Sequence, residues 1–189
     1  MTKLHGLLVA FLAVALISCG ESPQVPETPP TDDTAIVEVV LRDFANWEDV
    51  TFGNLKGVLA LDPVSADMSE ATFEGTQSQA SNISDHLSKD LIEAFLKRNR
   101  STTSIASLVE GSQWARIYQL PPESSYMAPP PQWAKATGAL TLPGYSRDRS
   151  RAFLKLHHSW SIHLAVVTYV LEMRDGTWRI VAKDQAVYL

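Results

Sequence analysis

The chain has 189 residues, of which 45% are hydrophobic and 20% are charged, so it fits one globular domain with short appendages. A single cysteine excludes an internal disulfide framework. The formal net charge of -5 argues against a general nucleic-acid binder, because such proteins need clustered positive charge. We therefore expect no nucleic-acid partner.

The first 18 residues have the layout of an export signal. Lys3 supplies positive charge in front of an apolar run at 6–17. That run has the length of a signal h-region and is short for a membrane span. We therefore expect residues 1–18 to be a signal peptide that takes no part in the fold.

The residues Leu16, Ile17, Ser18, Cys19 and Gly20 follow at the end of this run. They resemble the lipobox of bacterial lipoproteins, in which the cysteine thiol receives a diacylglycerol and a peptidase cuts in front of it. The resemblance implies cleavage between Ser18 and Cys19, lipidation of Cys19 with fatty acids such as palmitate, and attachment to a membrane. The alternative is a plain secretory signal with a chance cysteine.

The residue after the cysteine indicates the membrane to which a bacterial lipoprotein is sent. In lipoproteins of Gram-negative bacteria, a residue other than Asp at this place resembles the pattern of proteins forwarded to the outer membrane. Gly20 therefore implies an outer-membrane lipoprotein that faces the periplasm, if the host is Gram-negative.

Residues 19–33 form the predicted tether. This segment is rich in proline and acidic residues, a composition that cannot bury enough apolar surface to fold. Fully extended, it reaches at most about 45 to 50 Å. The remaining residues, 34–189, are predicted to form one domain, which is acidic in its first part and basic from residue 135 onward.

Apolar periodicity predicts the elements of the first part of this domain. Spacings of three and four indicate amphipathic helices at 36–47 and 88–99, the first preceded by Asp32 and Asp33, which suit a helix N-terminus. The proline-rich stretch at 121–131 predicts an extended loop. Short apolar runs predict strands at 57–61, 114–120 and 137–142.

The last third predicts a β-meander. Asp175-Gly176 is typical of a two-residue hairpin turn, which pairs Arg174 with Thr177. A second hairpin joins 151–158 to 163–174 through a loop at 159–162, and it sets Leu154 opposite Val167. One face of the final hairpin is then expected to hold Tyr169, Leu171, Met173, Trp178, Ile180 and Ala182, while Thr168 and Lys183 are expected on the other.

The predicted fold is therefore α+β, a curved antiparallel sheet with a C-terminal β-meander packed against two helices. A cone-shaped NTF2-like fold is the alternative.

Candidate chemistry centres on three histidines. In the predicted register His158 and His163 face each other at the sheet rim, and His157 points away. Zinc catalysis usually needs three protein ligands, so His86 or Asp148 would have to complete a site. His158 and His163 are thus a candidate metal or acid/base pair, against the alternative of ordinary rim histidines. The sequence indicates no other catalytic residue and no cofactor-binding motif.

Two charged runs and one aromatic segment have both functional and structural interpretations. Residues 97–100 form either an anion site or a helix end, and the arginines at 147, 149 and 151 serve either partner contact or an exposed strand. Pro129 to Trp133 could dock in an aromatic groove, or fold as a rigid loop onto the core.

Two short motifs resemble small exported bacterial α+β domains of unassigned activity. The first is Gly144-Tyr145-Ser146-Arg147-Asp148, and the second is the turn Asp175-Gly176-Thr177-Trp178. The resemblance implies the fold and export, and it carries no site residues.

Two functional hypotheses follow. The first is a noncatalytic lipid-anchored module that binds an envelope protein or a small ligand. The second is a small hydrolase or metal-assisted enzyme that uses His158 and His163.

Overall fold

A computed structural model describes residues 31–46, 48–49, 53–54, 57–119, 129–160 and 163–188. The predicted signal peptide, the lipobox and most of the tether lie outside the described residues, as does most of the predicted loop at 121–131. Within the described ranges, no helix combines the length and the apolar character needed to cross a bilayer.

The elements occur largely where the sequence predicts them, and both helices and all three early strands are confirmed. The helices are α1 (Thr31–Ala45), α2 (Phe73–Gln79), a 3-10 helix (Ser81–His86), α3 (Lys89–Arg98) and α4 (Ala106–Val109). The strands are β1 (Glu48–Asp49), β2 (Gly53–Asn54), β3 (Leu59–Leu61), β4 (Ala115–Ile117), β5 (Ala136–Leu140), β6 (Gly144–Tyr145), β7 (Arg151–Trp160), β8 (His163–Arg174) and β9 (Thr177–Tyr188).

The start of α1 corrects the predicted boundary between tether and domain. Asp32 and Asp33, which were assigned to the tether, lie in the first turn of the helix. Asp33 is buried there because it is paired with Arg98. The folded domain therefore includes residues 31–33.

The main sheet is open, mixed and seven-stranded, with the order β4-β3-β5-β7-β8-β9 and with β6 paired to β7 beside β5. The predicted α+β class is confirmed. The prediction of antiparallel pairing holds from β5 onward, whereas β3 runs parallel to both β4 and β5. The helices between β3 and β4 carry the chain back to the same end of the sheet, which is what parallel pairing requires.

Helices cover both faces of the sheet. On one face, α1 and α4 enclose a core that includes Phe44, Leu156 and Tyr169. On the other, Phe95 of α3 packs edge-on against Phe153 of β7, with ring centroids 4.6 Å apart. Among the described residues the layers are therefore helix, sheet and helix, rather than the cone of the alternative prediction.

The final hairpin has the predicted turn but an unpredicted bulge. Arg174 pairs with Thr177, as predicted. Between Val170 and Leu171 the register shifts, so that Ala182 pairs with Val170 and Lys183 pairs with Tyr169. The bulge moves Ala182 to the α3 face and Lys183 to the α1 face, and both placements correct the predicted faces.

The preceding hairpin is longer than predicted. Strand β7 continues to Trp160, which pairs with His163, and His158 therefore pairs with Ala165. The predicted facing pair of His158 and His163 is wrong. Because the register differs by two residues, which is an even number, Leu154 keeps its predicted face.

The strand β6 lies unusually close to α3. A Cβ atom on Gly144 would stand 2.4 Å from the Cα of Phe95, closer than side-chain carbons approach. Glycine is therefore needed at this position for the helix to pack against the strand.

Candidate functional site

The two motifs that resemble exported domains meet in the folded chain. Tyr145 of the first and Trp178 of the second lie with ring centroids 6.0 Å apart, beside the first turn of α1. The Asp33 cluster consists of the two aromatic residues and the charged groups around them: Asp32, Asp33, Arg98, Tyr145, Arg149 and Trp178.

Asp33 is the centre of this cluster and is fully buried. It accepts hydrogen bonds from Nη1 of Arg98 at 2.9 Å and from the hydroxyl of Tyr145 at 2.5 Å. The other terminal nitrogen of Arg98 donates to the second carboxylate oxygen, and Nη1 also donates to the carbonyl of Pro143 at 2.7 Å. The arrangement is a charge-assisted, two-pronged ion pair of the strong kind.

Two members of the Asp33 cluster, Tyr145 and Arg98, have raised pKa values. Burial raises the pKa of Tyr145 well above its usual range, and the bond to Asp33 adds to this rise. Burial opposes the charge on Arg98, but the hydrogen bonds and negative charge of Asp33 outweigh it and raise the pKa of Arg98. Tyr145 therefore remains a neutral donor and Arg98 remains protonated.

The outer residues of the Asp33 cluster are also paired with each other. Asp32 accepts from Arg149 at 2.9 Å and from Nε1 of Trp178 at 3.4 Å. The guanidinium of Arg149 lies 4.6 Å from the ring centroid of Tyr145, within cation–π distance. The acids and the phenol are thus engaged by internal partners, and the cluster joins α1, α3, β6 and β9.

Asp148, one of the possible metal ligands, organises a turn. Its carboxylate accepts from the hydroxyl of Ser146 at 2.7 Å and from the backbone N–H of Ser150 at 3.0 Å. These hydrogen bonds, with that from Ser146 the largest cause, lower the pKa of Asp148 to about 2. The geometry therefore supports a turn-forming role for this residue.

The histidines of β7 lie on opposite faces of the sheet. His158 is enclosed between Phe44, at a centroid distance of 4.7 Å, and Trp160, at 5.0 Å. Neither of its ring nitrogens has a hydrogen-bond partner among the described residues. Burial, aided by the charges of Lys135 and His157, lowers the pKa of His158 to about 3, so its ring is neutral at pH 7.

The candidate metal ligands lie on separate elements of the fold. Only the backbone of His163 is described, opposite Trp160, and His86 lies at the end of the 3-10 helix. Over the part of the chain that the structure describes, no three His, Cys, Asp or Glu side chains are grouped to hold a metal ion.

Two lysines accompany the histidines, Lys155 buried and Lys135 half-buried, and the sequence analysis identified neither. Lys135 donates to the carbonyl of Phe44 at 2.8 Å, near the C-terminal end of α1, where a cation is favoured by the helix dipole. On the opposite face, Lys155 donates to Oε1 of Gln79 at 2.7 Å. Burial lowers the pKa of each lysine to about 8.

An open groove runs between α1 and β9. Its volume is about 610 Å³, and its charged lining comprises Arg42, Asp43, Arg179 and Lys183. Lys183 is paired with Asp43 at 2.9 Å, whereas Arg42 and Arg179 are exposed. We call this recess the α1–β9 groove, and its lining carries more positive than negative charge.

The charged run at 97–100 is split by the fold. Arg98 points into the Asp33 cluster, and Asn99 is buried, where it accepts from the N–H of Leu142 at 2.7 Å. Lys97 and Arg100 are exposed. The helix-end interpretation is confirmed, because α3 ends at Arg98.

Trp133 lies outside the core. It is 41% exposed, with the ring of Tyr118 6.0 Å away and the guanidinium of Arg116 5.6 Å from its centroid. The prediction that this residue folds onto the core is therefore wrong, since Trp133 packs beside the edge strand β4 instead.

No protein-family model, no curated protein and no solved structure matches this chain. Three places in the structure bear on function: the Asp33 cluster, the lysines and histidines around β7, and the α1–β9 groove.

Replacing Asp33 by Asn should destabilise the domain strongly. The change keeps the side-chain shape but leaves the guanidinium of Arg98, only 26% exposed, without its counter-ion. We expect the free energy of unfolding in urea to fall by about 3 kcal/mol. Asp32→Asn is the matched control, because Arg149, the partner of Asp32, is 53% exposed. This control should lower the free energy of unfolding by less than about 1 kcal/mol. Equal losses in the two variants would contradict a special role for Asp33.

Stability should fall in acid, partly because of His158. Its folded pKa of about 3 lies below the unfolded value of about 6.5, so only the unfolded state binds a proton as the pH drops below 6.5. The contribution of neutral His158 to the free energy of unfolding is fully present above pH 6.5, and about 2 kcal/mol of it is lost by pH 5.

The measurement is the difference in unfolding free energy between pH 8 and pH 5. His158→Phe should reduce this difference by about 2 kcal/mol. Trp160→Phe disturbs the same aromatic stack without removing a titrating group, so it should keep the wild-type difference. A His158→Phe variant with an unchanged difference would show that His158 is not buried in neutral form.

Proposed function

We propose that the protein is a bacterial lipoprotein, anchored to the cell envelope through Cys19, and that its folded domain is a noncatalytic module that binds an anionic partner. The lipobox-like segment ending at Cys19 supports the anchor. The α1–β9 groove supports the binding role.

Acyl chains on Cys19 would hold the domain close to a bilayer. Each buried methylene contributes about 0.8 kcal/mol, and two or three chains together anchor a protein stably. Residues 20–30 separate Cys19 from the start of α1 and span at most about 40 Å. If the host is Gram-negative, Gly20 favours the outer membrane, with the domain in the periplasm.

The single observation that carries the binding role is the charge of the α1–β9 groove. Arg42, Arg179 and Lys183 line an open recess that contains one carboxylate, Asp43. Exposed guanidinium groups recognise carboxylates and phosphates through paired hydrogen bonds. An acidic envelope protein or a small anionic ligand is the partner that this lining fits.

The remaining polar groups favour binding over catalysis. The acids and the phenol of the Asp33 cluster are held by internal partners. His158 is enclosed by aromatic rings and stays neutral. A general base needs its reacting nitrogen or oxygen within hydrogen-bond reach of a substrate, which this enclosure does not provide.

Cys19→Ala should release the protein from the membrane. We expect the wild-type protein to enter the detergent phase of a Triton X-114 extraction and to carry the mass of its acyl chains. The variant should enter the aqueous phase, because it lacks the acylated thiol. Ser18→Ala keeps a small residue before the cysteine and should behave like the wild type. A wild-type protein with an unmodified thiol in the aqueous phase would disprove the anchor.

Reversing charge in the α1–β9 groove should abolish partner capture. In crosslinking of intact envelopes, followed by mass spectrometry, Arg42→Glu/Arg179→Glu should lower the yield of the crosslinked partner at least about tenfold, because charge complementarity is lost. Lys97→Glu/Arg100→Glu makes the same change in net charge at the exposed end of α3 and should leave the yield unchanged. Absence of any partner of the wild-type protein, or equal losses in both variants, would overturn the proposal.

A further inference from the structure

Lys155 is a buried cation with an incomplete set of hydrogen bonds. It lies in the middle of β7 on the α3 face of the sheet and is 1% exposed. An ammonium group has three N–H donors, and the described contact of Lys155 is one bond, to the amide oxygen of Gln79 at 2.7 Å. Buried charges in proteins are normally paired with an opposite charge, and here an uncharged amide takes that place.

A carboxylate in the same row of the sheet does not supply the missing charge. Lys155 pairs with Thr168, which in turn pairs with Asp184 on β9. Two strand spacings put the backbone of Asp184 about 10 Å from that of Lys155. Asp184 instead accepts from the amide of Asn82 at 3.0 Å.

Two more polar groups, one on β7 and one on α2, lack hydrogen-bond partners among the described residues. His157 follows on the same face of β7, and its Nε2 is buried without a hydrogen bond. Thr76 lies one turn before Gln79 on α2, is 2% exposed, and has a buried hydroxyl without a partner. Buried polar atoms are almost always satisfied, so unsatisfied groups beside a cation point to something that binds there.

The side chain of Gln79 links the ammonium of Lys155 to the protein surface. Gln79 is the last residue of α2 and is exposed, although its Oε1 contacts the buried ammonium of Lys155. Most of α2 is exposed, with Thr76 as its buried residue. Rotation of the Gln79 side chain would therefore open a path to Lys155 without rearrangement of the sheet.

We propose that Lys155 binds the oxyanion of a small ligand, a carboxylate or a phosphate, in a site beneath α2 where an anionic oxygen replaces the amide oxygen of Gln79. In this proposal the hydroxyl of Thr76 and Nε2 of His157, both without a partner among the described residues, donate to the same anion. The site lies on the face of the sheet opposite to the α1–β9 groove, so it is independent of the proposed partner site.

The test is the thermal stability of the full-length lipoprotein in detergent, titrated with sodium acetate or sodium phosphate at constant ionic strength. We expect at least one of the two anions to raise the melting temperature in a saturable way, since binding to the folded state stabilises it. A response to acetate alone would assign a carboxylate, and a response to phosphate alone would assign a phosphate. A wild-type protein that responds to neither anion would overturn the proposal.

Variants of Lys155 and Gln79 test the site itself. Lys155→Met should abolish the response, whereas Lys135→Met, at the half-buried lysine on the other face of the sheet, should keep it. Gln79→Ala removes the competing amide and should tighten the apparent Kd about fivefold. Gln79→Glu supplies a carboxylate within the chain and should abolish the response. An unchanged response in Lys155→Met, or in both Gln79 variants, would overturn the assignment.

The groove variant separates this inference from the proposed function. Arg42→Glu/Arg179→Glu should keep the response to the anion while it loses the envelope partner. Loss of the anion response in that variant would instead place the anion in the α1–β9 groove and overturn the Lys155 site.

Discussion

The buried pair of Asp33 and Arg98 is the contact on which the arrangement of the domain depends. It joins the first turn of α1 to the last turn of α3, although these helices pack on opposite faces of the sheet. The two helix ends meet at the short strand β6, where Tyr145 donates to the same carboxylate and Gly144 allows α3 to approach. Removal of either charge would leave the other buried and unpaired, and this is far costlier than loss of a surface ion pair. One carboxylate therefore joins both helix layers at the same end of the sheet.

The elements of the fold were predictable because their signals are local. Apolar periodicity located α1 and α3, and the Asp175-Gly176 turn fixed the register of the residues beside it. Two features of the strand pairing, the bulge in the last hairpin and the length of the preceding hairpin, were predicted wrongly because neither has a local signal in the sequence. The bulge at Val170 and Leu171 leaves no mark in composition, and the connection after β7 has no glycine or proline to fix its length. A register displaced by two residues keeps every side chain on its face, so the hydrophobic pattern cannot distinguish it from the true one.

The candidate sites were less predictable because each depends on distant partners. Asp33 stands at the end of an acidic, proline-rich segment, and its burial depends on Arg98, which is 65 residues away in the sequence. Lys155 alternates with Leu154 and Leu156, the pattern of a strand with one solvent-facing side. The lysine is nevertheless buried, and its ammonium contacts Gln79 of α2, a helix with few apolar residues. The resemblance to exported domains did mark Tyr145 and Trp178, but not the contact that they share.

The lysines on the two faces of the sheet have different partners, and this contrast supports the binding of an anion on the α3 face. On the α1 face, Lys183 is paired with Asp43, and Lys135 lies against the last carbonyls of α1. On the α3 face, Lys155 has an amide in place of a counter-ion, although an apolar side chain of similar length would avoid the cost of a buried charge. A lysine that lowers stability without a compensating partner is what a ligand site requires, since the ligand supplies the missing charge. Asp33 holds the first turn of α1 in place. The groove and the proposed Lys155 site therefore keep fixed positions relative to the first described turn of the domain.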